Sequence, residues 1–167
     1  QLPDEQQRVQ IYPCFSFQAH IPYVEIDPGT GHVKILDYTI GHDCGTMINP
    51  DIVRGMVIGG LVHGIGAALY EKFAYRPDGQ FESATFADYL MPSVYEVPMV
   101  KDVDHCTPSP LTSHGQKGSG EGGYLGAPAA IASAVNDALY PRGVSINELP
   151  MRSHLIEDLL NGGKTNL

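Results

Sequence analysis

Glu121 is the residue best placed by its neighbours to do chemistry. It sits in the run Lys117-Gly-Ser-Gly-Glu-Gly-Gly-Tyr-Leu-Gly-Ala-Pro128, a lone carboxylate among Gly118, Gly120, Gly122, Gly123 and Gly126. Glycine loses the most backbone entropy on ordering, so such a cluster points to positive φ angles or to close approach of another group. Pro128 suits the first turn of a helix, and the alanine-rich run behind it is good helix material. Unpaired N–H groups at such a loop and helix start would form an anion-friendly concavity beside the carboxylate. The pattern fits a general base held against a bulky charged cofactor, and it also fits a plain turn with a solvated glutamate. A P-loop is excluded, because no Gly-Lys-Ser/Thr closes the glycine run and Lys117 precedes it. A dinucleotide fingerprint fails as well, since Pro108, Pro110, Ser113, His114 and Gly115 do not make a hydrophobic strand ahead of Gly118.

The elements that must position this loop read as an α+β fold. Apolar and β-branched residues alternate over residues 11–39, through Phe15, Phe17, Tyr23, Val24 and Ile26, and return through Val33, Ile35, Leu36 and Tyr38. Asp27-Pro-Gly-Thr-Gly31 turns the chain, so a β-hairpin is predicted. Asn49-Pro50 is a strong helix start, an N-cap followed by proline. From there Ile52, Val53, Met56, Val57, Leu61, Ile65, Ala68 and Leu69 recur at helical spacing. Each glycine inside this helix costs about 1 kcal/mol relative to alanine. Gly55, Gly59, Gly60, Gly64 and Gly66 therefore call for tight backbone approach to another helix or to a cofactor. His63, beside the apolar face, is expected to be a satisfied core histidine. Strand-like segments are predicted at 80–86 and 103–107, and a last helix at 150–160 that stops at Asn161-Gly162. The prediction is a hairpin-rich sheet with one long glycine-rich helix and two shorter helices. No internal repeat is present.

Composition narrows the function classes. At 167 residues one unit spanning 1–167 is the default, with 1–10 expected to be flexible. Charged residues make up only 17%, against 19 Gly and 13 Pro, which suits a chain buried against partners. A net charge of −9 without any Lys/Arg cluster argues against nucleic acid. A membrane span is not expected, because the most apolar stretch, 57–70, is shorter than roughly 20 residues and is interrupted by His63 and by glycines. Cys14, Cys44 and Cys106 lack CxxC spacing and read as reduced, mostly buried thiols of a cytoplasmic protein. His42, Cys44, His105 and Cys106 lack the tight ligand pairs of a metal site, and no residue is put forward as a metal ligand.

Three blocks in order resemble a known family. The run Gly118-Ser-Gly120-Glu121 with Gly126-Ala-Pro-Ala-Ala-Ile-Ala-Ser-Ala-Val-Asn-Asp-Ala resembles the C-terminal signature of molybdenum hydroxylases, the xanthine dehydrogenase, aldehyde oxidoreductase and aerobic carbon monoxide dehydrogenase relatives. Val24-Glu-Ile-Asp27 with Gly45-Thr-Met-Ile-Asn49-Pro50, and Gly55-Met-Val-Ile-Gly59-Gly60-Leu-Val-His63-Gly64-Ile-Gly66, agree with it. The likeness runs from about Ser16 to about Leu160. It implies the C-terminal portion of a larger molybdopterin-binding domain, either a separately encoded subunit or a piece of a cleaved chain.

The resemblance implies hydroxylation of a carbon centre with water, at an aldehyde or beside an aromatic ring nitrogen, with Glu121 as general base. A base must reach the proton it removes, and a dry, glycine-lined pocket is expected around it. Gly118, Ser119 and Gly120 would cradle the molybdenum-pterin cofactor, in its dinucleotide form, and Lys117 would add charge. Gly55 and position 56 would touch the pterin, but the family's usual Gln is Met56 here, and a thioether cannot donate a hydrogen bond. The segment from Asp88 to Ser93 would line the route to the site. Partners implied are a larger molybdenum-binding chain, an iron–sulfur subunit and a flavin (FAD) subunit, with a small-molecule substrate. The alternative is a non-catalytic assembly subunit that completes a split molybdenum domain. A free-standing anion-binding module would leave the glycine-rich helix faces without a partner.

Overall fold

The computed structural model describes residues 3–9 and 14–163. The hairpin is present: β1 (Phe17–Ile26) pairs antiparallel with β2 (Val33–Asp43). Its turn is held by Asp27, whose carboxylate accepts from Gly29 N–H at 2.8 Å and from the Thr30 hydroxyl at 2.9 Å. A register shift between Tyr23 and Val24 leaves Leu36 unpaired on β2. The third strand is β3 (Val100–Asp104), parallel to β2 from Tyr38↔Val100 to His42↔Asp104, in the order β1-β2-β3. It lies earlier than the strand expected at 103–107. Pairing stops at Asp104, and by Thr107 the backbone N–H has turned to donate to the Asp43 carboxylate. The strand expected at 80–86 reduces to a single bridge, Tyr75↔Phe81, in an irregular stretch tied by buried Ser83 to Lys72 and Ala74.

Helix α1 (Pro50–Leu69) starts where the cap predicts, with the Asn49 side chain accepting from Ile52 N–H at 3.1 Å. After the one-turn α2 (Gly122–Leu125), α3 (Ala127–Leu139) begins one residue before Pro128. The last helix, α4 (Ser153–Leu160), is shorter than expected. Met151 N–H donates to Ala68 O at 2.7 Å, which ties this approach to α1 before the helix begins. Gly162, at φ +87°, ends it.

The core joins Tyr38 and Ile40 of β2, Val57, Leu61, Ile65 and Ala68 of α1, Ile131 and Val135 of α3, and Ile156 of α4. Each large aliphatic side chain buried here contributes about 2 kcal/mol. Helix α3 presents Ala127, Ile131, Val135 and Leu139 at four-residue spacing and contacts both β1 and α1. At 20 residues α1 is, by length and composition alone, long and apolar enough to cross a membrane, which corrects the shorter stretch read from 57–70. Its buried residues belong to the common core. The outer face of β1 is uncovered: Phe17, Ile21 and Tyr23 all project from the sheet, exposed. Of the 1–10 segment only 3–9 is described, a turn in which Asp4 accepts from Gln6 and Arg8; the rest of that segment lies outside the described residues.

Candidate functional site

The loop carrying Glu121 is pinned from both sides. On the sheet side Lys117 N–H donates to Cys44 O at 2.7 Å, and Gln116 bridges Gly45. The buried Lys117 ammonium pairs with Asp43 Oδ1 at 3.2 Å and lies 5.4 Å from the centre of the Phe17 ring. Two residues on, Ser119 Oγ meets the buried His42 Nε2 at 3.2 Å. On the helix side Gly123 lies against α1, where an added Cβ would stand 1.9 Å from Val57 O. Gly122 and Gly126 leave room for Gln18 and His20 of β1. His20 Nδ1 is in turn 3.0 Å from the Tyr38 hydroxyl.

Between these pins Glu121 faces a cleft of about 550 Å³ with Met56, Gly59, Gly60, His63, Ala67, Glu71, Gly120 and Tyr124. The α1 residues among them recur at spacings of three and four, so the helix has a second, open face beside its buried one. That arrangement corrects the expectation for His63, which is exposed in the cleft and whose imidazole makes no hydrogen bond to the described residues. Glu121 is also exposed, at the mouth rather than in a closed, dry pocket, and its side chain makes no cap hydrogen bond. Tyr89, from the segment expected to line the route, donates to Glu71 Oε2 at 2.5 Å and stacks on Phe73.

Of the cofactor-binding candidates, Gly120 and Met56 line the cleft with Glu121. Gly55 is exposed on the same helix, with nothing within 4 Å of an added Cβ. Gly118 and Gly120 are equally open, Gly120 at φ +45°. The backbone N–H groups of Gly118, Ser119 and Gly120 donate to no described residue. Lys117 differs: its ammonium is turned inward to Asp43, away from solvent and cleft. Burial pushes the Asp43 carboxyl up, but hydrogen bonds from Gly45, Thr107 and Lys117 outweigh it and hold it well below the usual carboxylate range. Burial moves His20 down and Tyr38 well up. Burial and the neighbouring Asp104 push Asp102 up. The anchoring roles of Asp43 and His42 are not legible in the sequence, because nothing local marks strand-end polar residues as anchors of a loop 74 and 77 positions away. Cys44 is buried and Cys106 exposed, which corrects the expectation of mostly buried thiols. Among the described residues no group of three or more His, Cys, Asp or Glu could hold a metal ion.

Residues 1–98 match the family described as a molybdopterin cofactor-binding domain. The chain belongs to the molybdenum hydroxylase family. It is 45% identical over 139 residues to the nicotine 6-hydroxylase large subunit of Paenarthrobacter nicotinovorans, covering 83% of this chain and 17% of that one. It superposes on quinoline 2-oxidoreductase from Pseudomonas putida 86 with a TM-score of 0.81 at 40% identity, over 84% of this chain and 18% of that one. On Cu,Mo-CO dehydrogenase the TM-score is 0.84 at 31% identity, over 88% and 18%. The chain thus spans less than a fifth of the length of these molybdenum hydroxylases. Gly55 and Met56 lie within the family match, and the Glu121 loop lies beyond it.

Proposed function

We propose that this chain forms one wall of the cofactor and substrate pocket of an oxidoreductase that hydroxylates a carbon centre with water, and that Glu121 is its general base. The observation carrying this reading is the shared cleft. It brings Glu121 and the open face of α1 together, with Gly120 beside the carboxylate. The residues fit a molybdenum-pterin group: unpartnered N–H groups at Gly118, Ser119 and Gly120 suit an anionic portion, in the proposed dinucleotide form its phosphates. Gly55 leaves room for close approach, while Met56 offers apolar contact and no donor. When bound, that group supplies the two-electron redox chemistry. Glu121 accepts the proton of the water-derived oxygen as it attacks the substrate carbon. A carboxylate on a loop pinned on both sides keeps its reach without reorganising during the reaction.

Two of the relatives are named for nitrogen heterocycles, nicotine and quinoline, which favours a carbon beside a ring nitrogen as the target. The remaining walls fall to a larger molybdenum-binding portion, and electrons leave through iron–sulfur and flavin subunits. Uncovered apolar side chains on β1 favour such association over a free-standing role. The test is Glu121→Gln in the complete enzyme, which keeps shape and hydrogen-bonding reach but cannot take up the proton. Molybdenum content and assembly should match the wild type while turnover falls by roughly 10²–10⁴-fold. An active Glu121→Gln enzyme would place the base elsewhere.

A further inference from the structure

The last two residues of β2 hold the segment that leads into Glu121. Asp43 Oδ1 accepts from Lys117 Nζ at 3.2 Å, and both side chains are about nine-tenths buried. The same oxygen accepts from Gly45 N–H at 2.8 Å and Thr107 N–H at 3.2 Å, so the carboxylate is itself fixed by backbone on two sides. His42, 2% exposed, meets Ser119 Oγ through Nε2. Glu121 makes no side-chain cap bond, and Gly118 and Gly120 have open space where a Cβ would be, so nothing local holds the carboxylate in place. Its position is inherited from the anchors at 117 and 119 and from the packing of Gly123 on α1.

We propose that Asp43 and His42 are positioning residues for the Glu121 carboxylate, acting through Lys117 and Ser119 from beneath the loop. This rests on the reading of Glu121 as the base. A surface ion pair would be too weak and too mobile for the task, whereas a desolvated pair with further hydrogen bonds imposes one geometry. Lys117 thus serves by pulling the loop onto the sheet, and its charge is spent on Asp43 rather than offered to a ligand.

The informative variant is Asp43→Asn/Lys117→Met in the complete enzyme. It removes both buried charges together and so avoids the penalty of leaving one unpaired. Hydrogen exchange should quicken at least tenfold at the Lys117 and Gly122 amides, which bond to Cys44 O and Ser119 O, with α3 amides and the thermal midpoint unchanged. On whichever of nicotine and quinoline the wild type turns over, kcat should fall by about tenfold or more at unchanged KM, as displacement of a catalytic group predicts. If the double variant does not fold, Ser119→Ala removes only a hydroxyl and is read on the same amides. Unchanged exchange at Lys117 and Gly122, or a uniform rise that includes α3, overturns the proposal. With Glu121→Gln run beside it the two readings separate. An active Glu121→Gln enzyme sinks the base while leaving the anchoring intact; an inactive one beside a double variant with full kcat sinks the positioning alone.

Discussion

The glycines of α1 and those of the Glu121 loop look alike in the sequence, yet each set divides by what stands against it. Gly60, Gly64 and Gly123 are where α1 meets α2 and α3, and an added Cβ there would meet backbone or a fixed methyl group at 3.0 Å or less. Gly55, Gly59, Gly118 and Gly120 have nothing within 4 Å. One set lets two backbones touch; of the other, Gly59 and Gly120 line the cleft, which Gly60 also borders. The difference follows the two faces of one helix. It teaches that a glycine-rich helix here serves packing on one side and leaves open space on another, and the two sets should answer oppositely to the same substitution.

The largest effect is expected at Gly123. A methyl group there stands 1.9 Å from Val57 O and 3.0 Å from Leu61 N, both backbone atoms of a helix fixed in the core. Gly123→Ala should cost about 3 kcal/mol or more, since neither side can yield cheaply. The thermal midpoint of the complete protein should drop sharply, or soluble protein should be lost. A wild-type midpoint would show that α1 and α2 separate freely, and the division between the two sets would lose its basis.

Much of this was legible in the sequence where local rules decide. The Asn49-Pro50 cap, the Asp27 turn and the stop at Asn161-Gly162 each satisfy backbone groups within a few residues, so pattern alone locates them. Glu121 stands out by its glycine neighbours and by family likeness, Gly55 and Met56 by family likeness alone, and the fold sets Glu121, Gly120 and Met56 in one cleft. What failed depends on distant partners. Strand β3 is five residues in parallel register with β2, with no periodicity of its own to mark its ends. The expectation for His63 fails because apolar residues and glycines continue from the packed face of α1 onto the exposed face that opens on the cleft, so the pattern does not separate the two. On β1 both faces carry apolar side chains, so alternation could not say that Phe17, Ile21 and Tyr23 point outward.

A second, somewhat smaller effect tests the sheet side of the loop through pH. The Asp43 carboxyl is held below its ordinary range in the folded state, so it contributes stability above about pH 4, its unfolded value, and loses it as pH falls further. Lys117→Met leaves that carboxylate buried without its cation and should cost about 3 kcal/mol at neutral pH. The deficit should shrink as pH is lowered through the carboxylate range, because protonation relieves the unpaired charge. Chemical denaturation at pH 7 and near pH 4 reads both. A deficit independent of pH would mean that lost packing, including the contact with the Phe17 ring, dominates over charge.

The smallest stability effect, and the sharpest contrast with Gly123, is expected at Gly59. It lies inside α1, where alanine is preferred to glycine by up to about 1 kcal/mol, and an added Cβ would meet nothing within 4 Å. Gly59→Ala should therefore leave stability unchanged or raise it slightly, the reverse of Gly123→Ala. Yet Gly59 lines the cleft with Glu121 and Met56, and a methyl group there intrudes on the space a ligand would use. If that space belongs to cofactor or substrate, the variant gains stability while losing molybdenum occupancy or raising KM. A stabilised variant with wild-type molybdenum content and kinetics would show that the open glycine face is merely tolerated, and that the pocket lies elsewhere on the fold.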